Sequence, residues 1–71
     1  MNHFSPKKLL DSKWTAANPQ NSEKHFTVIR CSYSAPGKLE QVEMEAIYTG
    51  NSYEIPWREL KDSTIWRIGW L

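Results

Sequence analysis

The stretch Tyr53–Leu71, Y-E-I-P-W-R-E-L-K-D-S-T-I-W-R-I-G-W-L, holds Trp57, Trp66 and Trp70, three of the four tryptophans of the chain. With Ile55, Leu60, Ile65, Ile68 and Leu71 it is the largest apolar mass available, so the earlier segments have to fold against it. Tyr53-Glu54-Ile55 is a short strand that Pro56 stops. A helix of one to two turns over 56–61 follows, with Trp57 and Leu60 toward the core. For residues 65–71, the alternation of Trp66, Ile68 and Trp70 favours a closing strand over a helix capped by Ser63.

Upstream, Gly50-Asn51-Ser52 makes a turn, and Leu39–Thr49 alternates as a strand. It puts Val42, Met44, Ala46 and Tyr48 on a buried face and Glu43, Glu45, Ile47 and Thr49 on a solvated one. Ala35-Pro36-Gly37-Lys38 is a tight reversal. His25–Tyr33, H-F-T-V-I-R-C-S-Y, is rich in β-formers, but its parity breaks. Phe26 and Val28 share one face, whereas Ile29, Cys31 and Tyr33 share the other. A bulge near Val28-Ile29 would return both sets to the core and bend the strand. Asn18–Ser22 is a loop by composition. Ser12–Ala16 is a short strand ending before Asn18-Pro19, and Pro6–Leu10 is at most one helical turn begun by Ser5-Pro6. Residues 1–4 are expected to be disordered.

A chain of 71 residues forms one domain and buries only roughly 60% of its unfolded surface, so large side chains must supply its stability. Four Trp, three Tyr and two Phe do so. One cysteine, Cys31, excludes an internal disulfide and fits a reducing compartment. Without an apolar run of signal-peptide or membrane-spanning length, a cytoplasmic protein is expected, with no membrane partner. The net charge of +1 is unevenly spread. Lys7, Lys8, Lys13, Lys24, Arg30 and Lys38 make the first half basic, and Glu40, Glu43, Glu45, Glu54, Glu59 and Asp62 make the middle acidic.

Five features run from one end of the chain to the other: P-K-K-L-L at 6–10, S-K-W-T-A at 12–16, K-H-F at 24–26, P-W-R-E-L-K-D at 56–62 and W-x-x-G-W at 66–70. In these the chain resembles a small family of bacterial tryptophan-rich proteins classed as a domain of unknown function. The resemblance implies a self-contained small protein and carries no catalytic residue, ligand or cofactor with it.

The residues themselves argue against catalysis. His3, His25 and Cys31 lack the close pair spacings of a zinc site, and Cys31 reads as a small core hydrophobe. His25 and Cys31 lie about 20 Å apart if the strand is extended, too far for a nucleophile and its base unless the bulge folds them together. Glu43 and Glu45 are a solvated face, and Gly37, Gly50 and Gly69 are isolated, which leaves no phosphate loop. We expect no enzyme, no cofactor and no metal. Glu59 and Lys61 read as simple surface charges.

Two binding surfaces remain. One is an aromatic patch for a protein partner, centred on Trp57 and Arg58 where the strand end lets side chains project. Its competitor is Trp57 acting as a plug for the open end of a barrel. The other is a surface for RNA or single-stranded DNA in which Lys7, Lys8, Lys13 and Lys24 flank Trp14 and Phe26. There the near-neutral charge, and the core demand for Trp14, point the other way. The expected fold is mostly β, α+β at the margin: a monomeric antiparallel meander curling toward an SH3-like half-barrel with one or two short helical turns. Its leading function is a non-enzymatic binding or accessory module for a protein partner, ahead of nucleic-acid binding.

Overall fold

The computed structural model describes residues 1–71. A 3-10 helix at Pro6–Lys8 leads into β1 (Lys13–Gln20), β2 (Glu23–Ala35), β3 (Lys38–Ala46) and β4 (Ser52–Pro56). A second 3-10 helix, Trp57–Lys61, precedes β5 (Trp66–Ile68). The strands form one antiparallel sheet in the order β4-β3-β2-β1-β5. Both edge strands touch the second 3-10 helix, so the sheet curls into a half-barrel around its core.

The core is Leu9, Trp14, Phe26, Val28, Val42, Met44, Ala46, Leu60 and Trp66. It occupies the concave face because strand side chains alternate and each hairpin keeps its apolar set in register. Val28 lies opposite Met44, and Cys31 opposite Val42. Between them Ile29 is the extra residue of the expected bulge, since Val28 pairs Met44 but Arg30 pairs Glu43. The bulge restores Cys31 to the core side and turns Ile29 itself outward, at 41% exposure. Tyr33, also expected inside, lies beyond the end of the core and is 56% exposed. The β2–β3 reversal is the two-residue turn Pro36-Gly37, where Gly37 takes φ +77°, a conformation without steric cost for glycine.

Several expectations are corrected. Asn18–Gln20 is not loop but the end of β1, and only Asn21 and Ser22, both at positive φ, make the turn to β2. The strand accommodates Pro19 by bulging: Thr15 pairs His25 and Gln20 pairs Glu23, so four residues of β1 oppose Lys24 alone. A residue without an N–H is tolerated where the ladder is already broken. Tyr48 is exposed because β3 ends at Ala46, where the Gly50 N–H closes the next turn onto the Ala46 carbonyl.

Residues 1–4 are anchored rather than disordered. The Asn2 amide donates to the carbonyls of Leu60 (2.9 Å) and Trp66 (2.6 Å). Phe4 packs edge-on against Trp14 and Trp57, with ring centroids 5.5 and 6.2 Å away. No helix is long and apolar enough to cross a membrane.

Candidate functional site

The structure separates the residues singled out from sequence. Trp14 is 2% exposed and belongs to the core, its indole N–H donating to Ser12 Oγ at 2.8 Å. Phe26 is buried beside Trp66. Neither ring is offered to a base, so the surface built on them does not form. Lys7, Lys8, Lys13 and Lys24 are exposed, on the first 3-10 helix and near the starts of β1 and β2. Trp57 is half-buried, held by Phe4 on the core side, with Arg58 and Lys61 at 5.7 and 4.9 Å from its ring. Lys61 is thus the closer cation on Trp57 rather than a free surface charge.

What sequence reasoning missed is a cleft of about 520 Å³ between β4 and the β1–β5 side of the half-barrel. Phe26, Met44, Tyr53, Ile55, Ile65 and Trp66 are among its walls. The β1 bulge shapes its rim through Ala16, Asn18 and Gln20. Its ionisable carboxyls are Glu23 and Glu59, and no Lys, Arg or His lines it. Glu59, read as a surface charge, is half-buried at this wall.

Glu23 is a buried carboxylate, 5% exposed. Its Oε2 accepts from Thr49 Oγ1 at 2.5 Å and Asn51 Nδ2 at 3.1 Å, and its Oε1 from Tyr53 Oη at 2.6 Å. These bonds, from Thr49 first and then Tyr53, hold the carboxyl below its ordinary pKa against the opposing push of burial. The Tyr53 phenol is raised in turn, chiefly by its bond to Glu23. No cation pairs with Glu23; the ion pair of the chain joins Arg30 and Glu43, 3.4 Å apart on the outer face. One buried side-chain donor lacks an acceptor. Trp66 is 8% exposed, and its indole N–H is buried without an acceptor.

The outer face of the sheet is polarised. Register places Arg67, His25 and Lys13 on β5, β2 and β1, and Glu43, Glu45 and Glu54 on β3 and β4. Gly69, at φ +83°, turns the chain after β5 so that its last residues cross this face. The Thr15 hydroxyl donates to the Gly69 carbonyl and accepts from the Leu71 N–H. Trp70 is 44% exposed there, with Lys13 Nζ 5.3 Å from its ring and the His25 ring 5.8 Å away. Tyr48, Lys24 and His25 border a neighbouring hollow. No three His, Cys, Asp or Glu side chains converge as metal ligands would.

A family model described as Tryptophan-rich protein (DUF2389) matches residues 12–71. No curated protein and no solved structure matches the chain.

Proposed function

The chain belongs to this tryptophan-rich family of unknown function, and we propose that it is a non-enzymatic, monomeric, cytoplasmic module whose cleft binds an extended segment of a partner protein. The observation that carries this reading is a largely apolar cleft, walled by Phe26, Tyr53, Ile55, Ile65 and Trp66, that runs beside the unpaired edge of β4. The cleft lies beside β4, an edge strand whose outer backbone groups have no strand partner. A segment added along that edge gains main-chain hydrogen bonds and turns alternate side chains toward Tyr53 and Ile55. Catalysis is disfavoured by the state of Glu23, since a carboxyl held below its ordinary pKa by three neutral donors is a poor general acid or base near neutrality. The free, half-buried thiol of Cys31 suits a reducing compartment.

The test is a selection from a random displayed-peptide library on the whole chain, with Ile65→Lys as the counter-target. Ile65 is 40% exposed at the cleft, so a polar residue there blocks the mouth without emptying the core. Peptides that bind the native chain and lose at least about tenfold in affinity for Ile65→Lys are expected. Enriched peptides that bind both proteins equally, or no enrichment at all, would remove the cleft as the site.

Exposed Trp70 under Lys13 favours a second reading, single-stranded nucleic acid on the outer face. It predicts oligonucleotide affinity that falls steeply with added salt and is lost in Trp70→Ala.

A further inference from the structure

Building on the protein-segment reading, we infer that the cleft receives a lysine side chain, its ammonium donating to Glu23 Oε1 while its alkyl stem lies along the aromatic walls. Buried charges are ordinarily paired, and Glu23 is met by neutral donors alone. A carboxylate offers about four acceptor positions, two on each oxygen. Oε2 is filled by Thr49 and Asn51, whereas Oε1 takes only Tyr53 and keeps one position open.

That asymmetry selects among cations. A guanidinium gains its advantage by reaching both oxygens of a carboxylate in a planar fork, and here only one is available. An ammonium is a compact charge that needs a single acceptor. Phe26, Tyr53 and Trp66 line the same cleft, and aromatic walls attract a desolvated cation while accommodating its apolar stem. Glu59 adds a second negative charge, and no basic side chain of the lining opposes it. The open Glu23 position and the aromatic walls together describe a ligand with a cationic donor at the end of an apolar stem, as a peptide carrying lysine has.

The experiment uses the peptides enriched on the native chain and sensitive to Ile65→Lys. Each lysine is replaced in turn by norleucine and by arginine, and affinities are measured for the native chain and for Glu23→Gln and Tyr53→Phe. One lysine is expected whose change to norleucine weakens binding to the native chain at least about tenfold, with arginine intermediate. On Glu23→Gln the lysine and norleucine peptides should bind alike. Tyr53→Phe, which keeps the carboxylate and the aromatic wall, should retain the preference for lysine. Cleft-dependent peptides without an essential lysine, or with arginine preferred, would overturn the lysine assignment and leave the protein-segment reading in place. Failure to obtain any cleft-dependent peptide would overturn both.

Discussion

Glu23 ties the start of β2 to the turn between β3 and β4, because its three donors sit at positions 49, 51 and 53. Its pKa is lower folded than unfolded. The stabilisation is therefore complete above the unfolded value, about 4.3, and is lost as pH falls through the lower folded one. Tyr53 has the opposite sign: its raised phenol stabilises the fold below an unfolded value of about 10, and that contribution is lost as pH rises through the folded one. Glu23→Gln should accordingly melt below the native chain at neutral pH, and the gap should narrow as pH falls below about 4. A melting gap that stays constant from pH 7 down to about 3 would mean that the carboxylate is not what the turn depends on. Nothing in the local sequence marks Glu23 for this role, since an acid before a strand is ordinarily a surface charge and its donors lie 26 to 30 residues away. Trp14 was the reverse case: the need of a small domain for aromatic burial already favoured the core, and that is where it lies.

Among the elements, the β2 bulge was legible because it is a matter of parity. Phe26 and Val28 fall out of phase with Cys31, and one extra residue repairs the phase. The β1 bulge was not legible, because it depends on β5, whose Ile65 carbonyl accepts the Ala17 N–H just outside the strand proper. The N-terminal segment is a further case. Asn2 and Phe4 hold no periodic pattern, yet they close the end of the half-barrel over Trp14, Trp57, Leu60 and Trp66. Removing residues 1–4 should cost about 2–4 kcal/mol, from one half-buried aromatic and two hydrogen bonds. Urea denaturation measures this, and an unchanged midpoint would show the segment to be idle. Gly37→Ala should cost about 1 kcal/mol in the same assay through its positive φ alone, since a Cβ there meets open space.

Across the whole molecule the tryptophans divide by access. Trp14 and Trp66 are sealed, whereas Trp70 and, in part, Trp57 reach solvent beside lysines that attract anions. Iodide should therefore quench part of the emission, and Trp70→Phe should remove most of that part. If Trp14→Phe removed it instead, the core assignment of Trp14 would be wrong. Local pattern accounts for the class of fold, its longest hairpin, the Pro36-Gly37 reversal, the β2 bulge and the short helical turn before the last strand. Those follow from φ/ψ preferences and a side-chain period of two, which act over a few residues. Closure of the sheet sets which aromatics face water, that Gly69 sends Trp70 to the face opposite Trp66, and that Glu23 and Trp66 line one cleft. Burial and hydrogen-bond satisfaction depend on partners brought in from distant segments by closure of the sheet, and no local pattern records them.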